Sequence, residues 1–275
     1  MSVNAKPGTV TVPADVAVAA ASRGLGNPGV SYPAQTPKMP LIGLGVLLLL
    51  WVALSVIMVL AANGSPTLYE DGPLAMAMPF IVLAVVNALG FLVVLLRSPL
   101  VSAKARRLQV HVFDQGWVRV RRKGIEVYRW DEVQALYASV AENTSGGIRQ
   151  TAYHYRITFH DGRQVSMRNF ATDMARFGPL LQQAVAQTQL PRAMAYFDQG
   201  NPVGFGDFTV TDDGVATRKG KLVPWSQLGG VKVEFGLVGL VDEQGKRVSP
   251  QTAIGQIPNA MTFLLMVQTI FKKIA

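Results

Sequence analysis

Two stretches interrupt the mixed apolar and polar pattern of this chain. No charged side chain occurs in the 22 residues Leu41–Ala62 or in the 23 residues Leu74–Leu96. At 1.5 Å rise per residue each run reaches roughly 33 Å, enough to cross a hydrocarbon core of about 30 Å. A run that stays apolar on every helical face for this length predicts a membrane span rather than a core helix. The pattern therefore predicts a two-helix transmembrane hairpin, 41–62 and 74–96, joined by a loop over 63–73.

The flanks orient that hairpin. Lys6, Arg23 and Lys38 precede the first run, and Arg97, Lys104, Arg106 and Arg107 follow the second; the loop carries only Glu70 and Asp71. The positive-inside bias then puts the loop outside and both termini in the cytoplasm, as in a multi-pass cell-membrane protein. A cleaved signal peptide is the competing reading of the first run. The 40 residues ahead of it exceed an n-region, and the run exceeds an h-region.

Ahead of the hairpin, residues 1–40 show neither helical nor alternating periodicity and contain Gly26-Asn27-Pro28-Gly29. They read as a disordered cytoplasmic tail, ordered locally at Leu25-Gly26 and Tyr32 only if that piece docks on something.

Beyond residue 97 the period changes to two, and the pattern repeats. Alternation predicts strands at 108–113, 117–122, 125–129, 133–140, 152–159 and 164–167, then an amphipathic helix over 172–187. The second half offers strands at 231–234, 237–241 and 246–249, then a helix over 259–274. Pro191 reads as the start of a separate helix, with Gly200 at its cap. Phe113-Asp114-Gln115-Gly116 leads to Trp130, and Thr211-Asp212-Asp213-Gly214 leads to Trp225. Lys123-Gly124 and Lys219-Gly220 mark the intervening turns. Short antiparallel strands closed by one helix outline a pleckstrin-homology-like (PH-like) barrel. The fold class expected is thus an α+β membrane protein: a hairpin followed by two tandem PH-like β-barrels over 97–190 and 191–275, each capped by a C-terminal helix.

The residues also resemble a family. Gly200-x-x-Val203-x-Phe205-Gly206, Pro224-Trp225 and Ile257-Pro258-Asn259 are similar to an uncharacterised family of membrane proteins with PH-like cytoplasmic domains. That family carries a Leu-Gly…Tyr element before its spans, which Leu25-Gly26 and Tyr32 match. The resemblance implies a membrane-anchored barrel pair and carries over no reaction and no catalytic residue.

Charge narrows the function. Residues 97–190 hold 14 Lys and Arg against 7 Asp and Glu, and residues 191–275 hold 9 against 7. The basic surplus therefore follows the second span directly, where anionic lipid headgroups are the nearest polyanion. Arg119, Arg121, Arg122 and Lys123, with Arg129 beyond, are the candidate lipid- or phosphate-binding residues, because guanidinium forks match phosphate oxygens. The bland reading is a solvated edge strand whose charges oppose aggregation. Matched Trp130 and Trp225 read as core. Within the spans, Trp51 and Asn87 lie at similar depth, with Ala84 and Ala88 beside Asn87, which predicts packing and an indole–amide hydrogen bond across the hairpin.

Other chemistry has little footing. The chain has no cysteine, and of its histidines His154 and His160 lack a third ligand nearby. No nucleophile elbow, P-loop or His-Glu-x-x-His occurs. The sequence thus predicts a non-enzymatic, membrane-anchored binding or scaffold protein without cofactor, metal or nucleic acid. Its partners would be anionic headgroups, another protein or itself. The alternative is a subunit of a larger membrane assembly, its spans pairing with other helices and its barrels oligomerising.

Overall fold

The computed structural model describes residues 12–33, 38–64, 72–98, 100–101, 109–121, 123–145, 148–168, 173–218 and 220–274. The chain forms two compact units. One comprises residues 33–108, and the other joins residues 1–32 to residues 109–275.

The first unit is a helical hairpin, α2 (Lys38–Gly64) and α3 (Gly72–Arg97). Both helices contain a 21-residue stretch long and apolar enough to cross a membrane, Leu41–Ala61 and Ala77–Arg97. Their mutual register differs from the expected one. The Trp51 ring lies against Phe80, with centroids 6.3 Å apart, and Phe91 packs at Gly45. Trp51 thus meets α3 two turns away from Asn87, and the indole–amide bond does not form. Asn87 Oδ1 is buried without a hydrogen-bond partner among the described residues. Aromatic contact and the room left by a glycine outweigh the polar pairing that equal depth suggested.

The second unit begins with residues expected to be disordered. Ala14–Ser22 form α1 and Pro28–Pro33 form β1. The expected tail is therefore corrected for residues 12–33, because this segment buries apolar surface. Leu25 is fully buried, and Val16 and Ala20 pack with it against Phe113 and Val118. Strand β1 is the outer member of a four-stranded sheet, β1–β2–β3–β4, with β2 at Gln109–Phe113, β3 at Gly116–Arg121 and β4 at Gly124–Arg129. Asn27 O accepts from Asp114 N–H while Ser31 Oγ meets His111 Nδ1, so β1 and β2 run in opposite directions.

A 3-10 turn at Trp130–Glu132 leads into a three-stranded antiparallel sheet of β5 (Val133–Ser145), β6 (Ile148–Phe159) and β7 (Gln164–Arg168). The helix α4 (Met174–Phe197) covers both. Trp117 sits at the centre, stacked on Tyr128 and Trp130 at 4.9 and 4.6 Å.

The second lobe repeats this order. Strands β8 (Val203–Phe205), β9 (Phe208–Thr211), β10 (Gly214–Thr217) and β11 (Leu222–Pro224) form the four-stranded sheet. After a 3-10 turn at Trp225–Gln227 come β12 (Gly230–Glu234), β13 (Leu237–Val241) and β14 (Thr252–Ala253), then α5 (Ala260–Ile274). The match reaches single atoms. Trp130 N–H donates to Gln115 O, and Trp225 N–H donates to Asp213 O. A Cβ on Gly116 would stand 2.0 Å from Tyr128 O, and one on Gly214 would stand 2.2 Å from Val223 O. Strand β1 is thus the counterpart of β8. Where Gly206-Asp207 join β8 to β9, residues 34–108 with both apolar helices are inserted between β1 and β2.

Three further expectations change. Neither lobe closes into a barrel; each is a pair of open antiparallel sheets. Pro191 starts no helix, because α4 runs through it. Interior proline costs about 3 kcal/mol, but α4 buries Phe177, Leu181 and Val185 in the first core and packs Leu190, Ala193, Met194 and Phe197 on the second. One helix thereby serves both lobes, ending at Gly200, whose φ of +80° suits a glycine cap. The stretch 246–249 forms only an isolated antiparallel bridge to β13, Val241 with Arg247; the third strand is β14, while Ser249 Oγ accepts from Leu240 N–H.

Candidate anion-binding groove

On β3, period two places Trp117, Arg119 and Arg121 on one face, and cross-strand pairing puts Tyr128 opposite Trp117 and Glu126 opposite Arg119. The face begins in the core at Trp117 and runs outward to the open mouth between the two sheets. There, Arg119, Arg121, Glu126 and Tyr128 meet Arg163 and Ser166 of the 161–168 hairpin across a groove of about 700 Å³.

The groove holds three guanidinium groups against one carboxylate. Glu126 is already engaged, accepting from Arg121 Nη1 at 3.0 Å and from Tyr128 Oη at 2.9 Å. Burial, followed by that hydrogen bond, pushes the Tyr128 hydroxyl up to about 12, so it stays protonated. Arg163 pairs with Asp161 and lies over the Phe159 ring at 5.4 Å. Arg119 differs from both. It is half-buried, and no hydrogen bond or ion pair reaches it from the described residues. Burial, then the neighbouring Arg121, holds its guanidinium below the ordinary arginine value, against the opposing charge of Glu126 across the strand pair. A partly desolvated cation without a partner is unfavourable until an anion supplies one.

The structure divides the sequence candidates. Arg119 and Arg121 line the groove, Lys123 is exposed at the β3–β4 turn, and Arg122 lies outside the described residues. Arg129 is elsewhere. Its Nε and Nη2 donate to the two Asp131 oxygens at 2.8 and 3.0 Å, and its Nη1 donates to Arg23 O at 3.0 Å. Asp131 is accordingly held below the usual carboxylate range by the Arg129 hydrogen bonds. Arg129 therefore latches α1 to the sheet. Arg163 is the groove residue that the sequence did not mark, since it comes from a distant hairpin; its only local signal was the turn Asp161-Gly162.

A larger cleft of about 890 Å³ separates β5 and β6 from the β12–β13 turn. Within it Arg156 lies over the Tyr137 ring at 4.5 Å, and His154 Nε2 meets Ser166 Oγ, outside the cleft, at 3.2 Å. Among the described residues no cluster of His, Cys, Asp or Glu could hold a metal ion.

The strand ends give the groove a direction. Val110 pairs with Arg119, so Gln109 and the Arg121–Lys123 turn share one end of the sheet. Pro33, at the end of antiparallel β1, lies there too. The chain therefore departs for its two apolar helices, and returns from them, at the basic end of the sheet.

No curated protein and no solved structure matches the chain. A family model does match it, over residues 11–274, nearly its whole length. The chain thus belongs to DUF6585, a family of unknown function.

Proposed function

We propose that this is a double-pass membrane protein whose soluble unit is a binding module for anionic phosphate headgroups, without catalysis of its own. The observation that carries the reading is Arg119, a half-buried guanidinium that no hydrogen bond or ion pair from the described residues reaches, between Arg121 and Arg163 in an open groove. A phosphate there would take bidentate hydrogen bonds, which neutral–neutral pairs match at only about half the strength. On this reading the two lobes are divergent PH-like folds. Their succession of four strands, three strands and a covering helix supports that assignment, and the groove lies at the open end where the sheets part.

Lipid is favoured over free phosphate by chain connectivity. Only residues 34–37 separate β1 from α2, a reach of at most about 3.6 Å per residue. The soluble unit is thereby linked covalently, through a short segment, to the helices that would insert in a leaflet. By the charge bias of the flanks that leaflet is the cytoplasmic one, and both termini are cytoplasmic.

The test uses the full chain in nanodiscs of neutral phosphatidylcholine. These are mixed with sedimentable vesicles of phosphatidylcholine, with or without phosphatidylglycerol, at low and physiological salt. Co-sedimentation only with the anionic vesicles, weakened by salt and lost in Arg119→Ala/Arg163→Ala, is the expected result. Sedimentation that ignores phosphatidylglycerol, or that survives the double substitution, overturns the reading.

A further inference from the structure

The internal repeat leaves one docking groove filled and its counterpart open. In the first lobe the free edge of β5 and the flank of α4 form a groove at Leu136, Ala138, Gln182 and Val185. The start of α5 from the second lobe fills it. Asn259 N–H donates to Leu136 O at 2.9 Å, Leu136 N–H donates to Asn259 Oδ1 at 2.8 Å, and Asn259 Nδ2 donates to Gln134 O at 2.9 Å. What remains there is a residual space of about 10 Å³.

Alignment on Trp130 and Trp225 makes Leu136 and Ala138 equivalent to Val231 and Val233. Alignment of the helices on Phe177 and Phe263, both fully buried, makes Gln182 and Val185 equivalent to Gln268 and Phe271. These four second-lobe residues do line one groove, of about 650 Å³, with no segment of the described residues seated in it. Val233 is 45 % exposed. Strand β12 is an edge. Leu240 directs its N–H to Ser249 Oγ and its carbonyl to Val248 N–H, away from β12. Its cross-strand partner Val231 is therefore in a non-hydrogen-bonded pair, with N–H and carbonyl facing outward as those of Leu136 do.

The plug also has a counterpart. Asp173 precedes α4 as Asn259 precedes α5: Phe177 N–H donates to Asp173 O at 2.8 Å, and Phe263 N–H donates to Asn259 O at 3.0 Å. The two differ in backbone, with φ −69° at Asp173 against +52° at Asn259, and the Asp173 carboxylate lies 3.7 Å from Arg176 Nε, a pair that docking must exchange. Met174, which follows Asp173, is buried in the first core, and Ala175 and Arg176 beyond it are exposed. Among the described residues, the start of α5 thus fills one groove, whereas the start of α4 reaches no groove and the β12–α5 groove holds no segment.

We infer that a second copy of this chain seats the start of its α4, at Asp173, in the β12–α5 groove, repeating between copies the junction that joins the lobes within one. Asp173 keeps the acceptor oxygen that the Val231 N–H requires. It lacks the amide donor of Asn259, and the Lys272 ammonium on the groove rim supplies a charge partner instead. The contact is head-to-tail, so it closes into a ring or continues as a row rather than stopping at a two-fold dimer. It is independent of the anion groove.

The absence of cysteine makes the test direct. The full chain in neutral detergent carries Ala175→Cys and Val233→Cys, the equivalents of the neighbours Met261 and Ala138. Mild oxidation is expected to give a ladder of dimers and higher species that either single cysteine variant lacks. Adding Val233→Asp to a chain labelled for proximity should cut its association roughly a hundredfold, the penalty of an unpaired charge in an apolar site. Mixing Asp173→Lys chains with Lys272→Asp chains should restore what Asp173→Lys alone loses. A chain with Ala138→Cys and Met261→Cys reports whether the internal junction closes. If that internal bond forms while Ala175→Cys/Val233→Cys yields only monomer, self-association through this groove is overturned and the groove belongs to a different protein.

Discussion

Asn259 holds both backbone groups of Leu136, its side-chain oxygen accepting from the Leu136 N–H at 2.8 Å and its own N–H donating to the Leu136 carbonyl at 2.9 Å. It does so at φ +52°, in the left-handed region that asparagine tolerates better than other side chains. The bulge between Val133 and Ala135 turns Gln134 O toward the same amide. Asn259 thus adds a polar junction to the apolar packing of α4 on both lobes.

Asn259→Ala removes two side-chain hydrogen bonds and adds left-handed strain, so it should cost about 2–4 kcal/mol. Asn259→Gly loses the bonds but not the conformation and should cost less. Asn259→Asp keeps the bond from Leu136 and loses only the one to Gln134 O. Thermal melting of the four chains should rank them wild type, Asp, Gly, Ala. Equal loss for Gly and Ala would mean that backbone strain contributes nothing there.

The N-terminal strap makes a sharper demand. Leu25 is fully buried under Gly116, so Leu25→Ala should destabilise by about 2–5 kcal/mol. The insertion, by contrast, should be dispensable for folding. Replacing residues 34–108 by Gly-Asp, the turn that joins β8 to β9, should give a soluble, cooperatively melting chain. A chain beginning at Gln109 lacks β1 and Leu25 and should not. Circular dichroism and melting of the two decide it.

This strap shows what the sequence conceals. Glycine spacing and paired tryptophans made the repeat legible, and two uncharged runs made the helical hairpin legible. The strand that completes the first sheet, however, precedes both apolar helices and is short, proline-flanked and without alternation. Nothing local marks Pro28–Pro33 as a partner of Gln109–Phe113. Only the second lobe, with its short β8–β9 connection, shows what belongs there. The groove was half legible for a related reason. Period two found Arg119 and Arg121, whereas Arg129 looked equivalent by charge and is spent on Asp131 and the Arg23 carbonyl. Likewise, Pro191 reads locally as a helix start, but burial on both sides carries α4 through it.

Acid should loosen the strap. His111 is buried, its Nδ1 meets Ser31 Oγ at 2.6 Å, and its Nε2 has no partner among the described residues. Burial lowers its pKa from the ordinary 6.5, opposed in part by Asp15. The unfolded chain therefore takes up this proton before the folded chain does. Stability owed to His111 is complete above about pH 6.5 and falls as pH drops below it, by at most about 1.4 kcal/mol per pH unit. His111→Gln should flatten that part of the profile in denaturant titrations; an unchanged slope would exclude His111 as its source.

The two turn glycines provide the most stringent check on the repeat itself. In Gly116→Ala the new methyl would meet Tyr128 O at 2.0 Å and Arg129 Cα at 3.0 Å. Both are backbone of the adjacent strand, which cannot retreat without breaking the β3–β4 ladder and uncovering Trp117. Gly214→Ala meets Val223 O at 2.2 Å and must also adopt φ +154°. Each substitution should cost at least about 3 kcal/mol, and each should open its own lobe first. Hydrogen exchange should accordingly rise in 110–129 for the first and in 208–224 for the second. Gly204→Ala has nothing within 4 Å and should stay within about 0.5 kcal/mol of wild type. Were Gly116→Ala as mild as Gly204→Ala, the tight strand crossing that defines both lobes would be wrong.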